Sequence, residues 1–306
     1  MAEPIIAVID LGSNTVHLLV ARISAGALTT LSDQSVALQL GADVDRTGVV
    51  STEKLDALLN TLRAFQATAA ELGAPQVHVL ATQALRIAQN RDALRGAIER
   101  TTGLRVEILS PGQEAAFAFM GAEAAFPGAG RRMVIDIGGG SMQVSVGEGG
   151  LMHASVSLPL GGLRARDDFM PGDPPTLEEE SRLWAHLAAV LPSALPLLGC
   201  AVGAAYATGG SARRLPGLIG HTTGEPLPPG VLDEALALLR GRPAAEITAR
   251  YGVTADRALL LAPTALTLRA VLRAYRDPPL TISDYGMREG AALWLAGQTP
   301  AEGEPA

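Results

Sequence analysis

The chain has 306 residues, 48% of them apolar and only 4% aromatic, with a formal net charge of -7. That length and apolar content suffice for two domains with aliphatic cores and exclude low-complexity disorder over most of the chain. The negative balance argues against a protein that coats nucleic acid or an anionic membrane, while leaving room for a local basic site.

Lys54 is the only lysine, so the cations are almost all arginine. Arginine forks suit phosphate oxygens, although a skewed base composition gives the same pattern. Cys200 is the single cysteine, which excludes an internal disulfide and a thiolate metal cage. It lies in an apolar run and is expected to be a small core residue. The first residues show no basic n-region or cleavage site. The run from Leu183 to Tyr206 is apolar enough to imitate a membrane span, but Pro192, Pro196, Gly199 and His186 interrupt it. It reads as a buried helix, a turn and a strand, and a cytoplasmic location is expected.

The first strand is expected over Ile5 to Asp10, followed by Gly12-Ser13-Asn14, a second strand over Val16 to Ile23 and a third over Leu28 to Leu40. Ser51 and Thr52 begin a helix with apolar spacing through Leu55, Leu58, Leu59, Leu62 and Phe65. Val77 to Ala81 reads as a strand, Asn90 to Arg100 as a helix capped by Asn90, and Leu104 to Leu109 as another strand. Gly112 to Ala125 is helical. The pattern restarts after Pro127-Gly128-Ala129-Gly130. Met133 to Ile137, Val144 to Val146 and Leu151 to Leu158 read as strands. Helices follow over Thr176 to Leu191 and Asp256 to Tyr275, then a strand over Leu280 to Ile282 and a helix from Gly286 to Ala296. The tail after Gly297 is expected to fray.

The restart carries the most information. Val8-Ile9-Asp10-Leu11-Gly12-Ser13-Asn14-Thr15 matches Val134-Ile135-Asp136-Ile137-Gly138-Gly139-Gly140-Ser141 at a separation of 126 residues. Both are an apolar strand ending in Asp, then a glycine turn into another strand. A duplicated unit of this kind predicts two similar halves. Glycine turns let backbone N–H groups approach an anion, and an Asp at each strand end could hold a cation or water beside it. Neither turn is a P-loop or a dinucleotide fingerprint. Thr208-Gly209-Gly210, with Arg213 and Arg214 just after it, is a third candidate turn. Glu114 stands at a helix start, where a carboxylate is most often a cap residue favoured by the helix dipole. The five histidines show no metal-ligand spacing.

These segments, taken in order, resemble the Ppx/GppA phosphatases, a branch of the actin and sugar-kinase superfamily. The resemblance is carried by Ile9-Asp10-Leu11-Gly12-Ser13-Asn14-Thr15-Val16-His17-Leu18, Ala81-Thr82-Gln83-Ala84-Leu85-Arg86, Gly112-Gln113-Glu114-Ala115-Ala116, Asp136-Ile137-Gly138-Gly139-Gly140-Ser141, Ser157-Leu158-Pro159-Leu160-Gly161, Thr208-Gly209-Gly210, and Ser283-Asp284-Tyr285-Gly286-Met287-Arg288-Glu289-Gly290. It implies an α/β protein of two ribonuclease-H-like (actin-like) domains, residues 1–124 and 125–306, with the last helix able to return to the first domain. Each would be a mixed five-stranded sheet with helices on its faces, with a substrate cleft between the two that closes by domain motion.

The resemblance further implies an exopolyphosphatase, with guanosine pentaphosphate 5′-phosphohydrolase as the alternative. Glu114 matches the family's catalytic glutamate, and Arg86 a phosphate-contacting arginine. Gly12, Ser13, Asn14, Thr15, Gly138, Gly139, Gly140, Ser141, Thr208, Gly209 and Gly210 would bind phosphate. Mg²⁺ or another divalent cation is expected on Asp10 and Asp136, with Gln143 counted beside them. The implied partner is inorganic polyphosphate or guanosine pentaphosphate, with neither nucleic acid nor membrane, and a homodimer is allowed. Two departures stand out. Gln143 occupies the place of a family Glu, and Ala115 replaces the second Glu of the glutamate motif. The first also admits a weakly active or non-catalytic polyphosphate-binding regulator. A sugar kinase is disfavoured by the glutamate motif and the Arg288-Glu289-Gly290 ending.

Overall fold

The computed structural model describes residues 3–195 and 201–298. Cys200 and the tail beyond 298 lie outside the described residues. Among those described, no helix is long and apolar enough to cross a membrane. The chain divides into two compact units, one of Met1–Ala124 with Met287–Ala306 and one of Ala125–Gly286.

The first unit opens with an antiparallel meander of β1 (Ile5–Leu11), β2 (Thr15–Ser24) and β3 (Ala27–Ala37). β1 and β2 are buried at most positions, which requires the near-continuous apolar runs seen in their sequence. The edge strand β3 exposes most of its residues, and its sequence is polar accordingly. After α1 (Leu40–Thr47) comes α2 (Thr52–Glu71), whose first turn is capped by the Ser51 side chain accepting from the Lys54 amide at 3.4 Å. The unit continues with β4 (Val77–Ala81), α3 (Gln83–Ile87), α4 (Arg91–Thr102), β5 (Val106–Ile108) and α5 (Pro111–Ala125). β4 runs parallel to β1 and β5 parallel to β4, giving the order β3-β2-β1-β4-β5. Ile9, Leu58, Leu62, Phe65 and Ile98 form the centre of its core. One expectation fails: the Asn90 side chain does not cap α4. It bridges to Val50 instead, accepting from its amide at 3.2 Å and donating to its carbonyl at 2.9 Å.

The second unit repeats the plan. The meander β6 (Arg131–Ile137), β7 (Met142–Glu148) and β8 (Leu151–Leu158) is followed by α6 (Gly162–Phe169), α7 (Leu177–Ala194), β9 (Ala204–Thr208) and α8 (Leu215–Leu218). Then come β10 (Pro226–Leu227), α9 (Val231–Leu239), α10 (Ala244–Tyr251), α11 (Ala255–Ala274) and β11 (Leu280–Ile282). β9 is parallel to β6, and β11 parallel to β9. The order β10-β11-β9-β6-β7-β8 therefore contains the first sheet's arrangement with one strand added, making six strands rather than the expected five. The addition is the two-residue β10 at the edge, too short to leave a periodic signal. Each unit is a ribonuclease-H-like, actin-like domain. The last helix, α12 (Met287–Gln298), packs on β1 and β2 of the first unit.

At the start of α7, Thr176 and Glu179 close a capping box, each side chain bonded to the other's amide, at 3.2 and 2.7 Å. Glu179 also accepts from the Gly172 amide at 2.9 Å. The Thr176 amide foremost, then the Gly172 amide and the Thr176 hydroxyl, hold the Glu179 carboxyl below its ordinary value of 4.5, against burial, which opposes them. A depressed carboxylate stabilises the fold above its unfolded value, and the contribution is lost as pH falls through the folded one. Glu179→Gln is therefore expected to cost about 1 kcal/mol at neutral pH and less in acid, checked by urea unfolding at the two pH values.

Candidate active site

The two glycine hairpins agree atom for atom where the sequence repeat aligns them. Gly12 N–H donates to Thr15 O at 3.2 Å, and Gly138 N–H to Ser141 O at 3.0 Å. Asp10 lies opposite His17 across the first hairpin's strands, and Asp136 opposite Gln143 across the second's. In each unit the chain that enters the next helix fixes the loop carbonyls. Gln39 and Gly41 donate to Asn14 O and Ser13 O at 2.8 and 2.7 Å, while Gly162 and Leu163 donate to Gly138 O and Gly139 O at 2.8 and 2.9 Å. The carbonyls are thereby committed to the protein. Among the described residues no protein acceptor is found for the amides of Ser13, Asn14, Gly139 and Gly140. Donors held without acceptors, on loops whose oxygens are engaged, suit an anion. The packing requires Gly161, because a Cβ there would lie 2.4 Å from the Gly139 carbonyl.

Glu114 is not the cap of α5. Ser110 and Gln113 make that cap between them. The Gln113 side chain accepts from the Ser110 amide at 2.8 Å, and the Ser110 hydroxyl accepts from the Gln113 amide at 3.2 Å. With Pro111 supplying the first helical position, Glu114 falls one residue past the box. Its side chain is only 4% exposed and meets Arg86 at 2.5 Å, Nη1 to Oε1. The same Nη1 donates to Leu109 O at 2.6 Å. Arg86 sits on α3, directly after β4, and Glu114 at the start of α5, directly after β5, so two adjacent parallel strands deliver both residues to the same sheet end. The family resemblance implies Arg86 against phosphate oxygens; the structure places one arm of its fork on Glu114. Among the described residues its Nη2 makes no hydrogen bond.

The Arg288-Glu289-Gly290 segment holds this arrangement from behind. A Cβ on Gly290 would lie 1.8 Å from Phe117 O, so only glycine lets α12 come this close to α5, one turn beyond Glu114. Arg288, 7% exposed, grips Asp33 of β3 at 2.6 and 3.3 Å and meets Glu289 at 3.4 Å. Burial opposes the charge on Arg288, yet Glu289, Asp33 and Asp10 outweigh it and raise the guanidinium above its ordinary value.

In the second unit the Thr208-Gly209-Gly210 turn continues from β9. Gly209 has φ +118°, and a Cβ would lie 2.2 Å from Ile137 O, at the end of the strand that carries Asp136. Gly209→Ala is expected to destabilise by at least about 1–3 kcal/mol, read as a lowered midpoint in urea. Ser283-Asp284-Tyr285-Gly286 supports the turn from the side: Ser283 N–H donates to Ala207 O at 2.8 Å, and Gly286 leaves no room for a Cβ beside Thr208. Arg213 donates to Thr208 Oγ1 at 3.4 Å and to Ser283 O at 3.3 Å.

Arg257, on α11, joins the site without any signal in the sequence. A Cβ on Gly210 would lie 1.8 Å from its Nη1, so the guanidinium rests on the turn. Burial first, then the charges of Arg214 and Arg213, push the Arg257 guanidinium below its ordinary value. Arg257 and Arg213 against one glycine turn, with the charge of Arg214 added, are electrostatically unfavourable without an anion.

Among the described residues no group of three or more His, Cys, Asp and Glu could hold a metal ion. The strand-end carboxylates of Asp10 and Asp136 are hard oxygen donors. Each is, within its own unit, the kind of ligand that Mg²⁺ takes. The Gln143 amide nitrogen is turned to Ser141 and Ser157.

The family model for the Ppx/GppA phosphatase family matches residues 19–298. The chain is 30% identical to Exopolyphosphatase 1 of Mycobacterium tuberculosis, covering 94% of this chain and 86% of that protein. Among solved structures, the Aquifex aeolicus member of the Ppx/GppA family aligns over 97% of this chain and 99% of its own, at 26% identity and a TM-score of 0.84. An exopolyphosphatase from Cytophaga hutchinsonii shares the fold at 24% identity and a TM-score of 0.87. Fold and family match together define a phosphoanhydride hydrolase on actin-like domains. The chain belongs to the Ppx/GppA phosphatase family.

Proposed function

We propose that this chain hydrolyses the terminal phosphate of inorganic polyphosphate, with Glu114 as the base. The observation that carries the reading is Glu114 itself. It is a buried carboxylate at a helix start whose capping duty is taken by Ser110 and Gln113, and it is held in place by Arg86. A carboxylate kept there serves a reaction rather than the helix.

In the step, Glu114 takes a proton from a water as its oxygen bonds to the terminal phosphorus. The bond from that phosphorus to the bridging oxygen breaks, and the shortened chain leaves with the electron pair. Arg86 keeps Glu114 oriented with one arm and offers Nη2 to a phosphate oxygen. In the same unit, the free amides of Ser13 and Asn14 would receive the charge that grows on the phosphoryl oxygens. A divalent cation, when bound, would supply further charge neutralisation, and Asp10 would hold it. Arg213, Arg214 and Arg257 suit a substrate with several phosphates rather than one.

Guanosine pentaphosphate presents the same terminal phosphoanhydride to the same groups. Initial rates on long-chain polyphosphate and on guanosine pentaphosphate, measured side by side, test the choice. The proposal expects the higher kcat/KM on polyphosphate, and the reverse order would assign the nucleotide as substrate.

A further inference from the structure

Gln143 lies on β7, 3% exposed, and donates from Nε2 to two serine hydroxyls, Ser141 Oγ at 3.0 Å and Ser157 Oγ at 3.1 Å. The amide nitrogen thereby faces two serine oxygens. Each serine oxygen accepts, and among the described residues neither hydroxyl has a protein acceptor for its own proton. Ser141 closes the second glycine hairpin, and Ser157 lies opposite Gln143 on β8. The amides of Gly139 and Gly140 in that hairpin also have no protein acceptor among the described residues. The hairpin therefore carries donors of both kinds, amide and hydroxyl.

A carboxylate at 143 would reverse this polarity. It has no proton to give, so both serines would turn their hydroxyls inward to donate to it. It would also stand directly opposite Asp136 on the neighbouring strand, where side chains share a face and two like charges repel. A cation would then be needed to reconcile the pair. With glutamine the face holds one carboxylate. The first hairpin follows the same rule, since Asp10 faces His17 there.

We propose that Gln143 is a positioning residue that turns Ser141 and Ser157 into hydrogen-bond donors, so that the second hairpin binds a substrate phosphate without a cation at that hairpin. The inference rests on the reading of the hairpin as a phosphate site, but not on turnover. Its ligand is a condensed phosphate.

Calorimetric titration of sodium tripolyphosphate into the full chain tests it, in chelator and again with Mg²⁺, for wild type, Gln143→Glu and Ser157→Ala. Wild type is expected to bind in chelator. Gln143→Glu should weaken metal-free binding at least about tenfold and recover most of it with Mg²⁺. Ser157→Ala, which adds no charge, should weaken metal-free binding without gaining Mg²⁺ dependence. Equal metal-free affinity in wild type and Gln143→Glu, with both proteins folded by circular dichroism, would overturn the proposal. So would wild-type binding that needs Mg²⁺. Absence of phosphate release alongside the expected titrations would refute the hydrolase reading and leave this one standing.

Discussion

Glu114→Gln is expected to lower kcat for phosphate release by about 10²–10⁴-fold, the range of a lost general base. The substitution keeps shape and one hydrogen-bond acceptor for Arg86, and the helix cap is made by Ser110 and Gln113, so α5 keeps its start. KM and the unfolding midpoint should therefore move little. That combination separates a base from a buttress. If Glu114 served only to anchor Arg86, removing its charge would leave a buried guanidinium poorly paired and stability would fall together with rate. Steady-state kinetics beside urea unfolding distinguishes the two.

Arg257→Gln carries the second large expectation. An arginine that mattered only to folding would be destabilising to remove. Arg257 sits instead among Arg213 and Arg214, with burial and both neighbours working against its charge. Deleting the charge relieves that repulsion, so stability is expected to hold or rise. Polyphosphate affinity should fall about ten- to hundredfold, the value of a charge-assisted hydrogen bond to phosphate. A site that is worse for folding and better for its ligand shows this opposite movement. A loss of stability with unchanged affinity would make Arg257 a structural residue.

Much of the fold is legible in the sequence because its main elements announce themselves by pattern. The inner strands β1, β2, β6 and β7 are buried at most positions and so are written as apolar runs, and α2 shows its spacing and its Ser51 cap. Shorter elements are not legible. α1 begins at Leu40-Gly41 after a left-handed Gln39, and α6 begins with a glycine. Neither start carries a side-chain cap, and both helices are set by amides tied back to the hairpins rather than by propensity. β10 has two residues and no period at all.

The site divides in the same way. Asp10, Asp136 and the glycine turns are visible because the repeat places them in equal frames. The capping box that frees Glu114 is written as Ser110-Pro111-Gly112-Gln113, a start signal that a cap assigned to Glu114 passes over. Arg257 leaves no signal, because an arginine in the first turn of a helix resembles a solvent-facing position until α11 is placed against the Gly210 turn. The roles of Gly290 and Gln143 depend on contacts between elements far apart in sequence. Spacing along the chain does not encode them.

Hydrolysis at the chain end is decided by which bond water breaks. Long-chain polyphosphate should be incubated with the protein in ¹⁸O-labelled water and the products followed by mass spectrometry within the first turnovers. Attack on the terminal phosphorus predicts orthophosphate carrying one labelled oxygen and shortened chains carrying none, with both products absent for Glu114→Gln. Labelled chain fragments would show attack on another phosphorus, and binding without any release would show a protein that holds condensed phosphate without hydrolysing it; either result contradicts attack on the terminal phosphorus with Glu114 as the base.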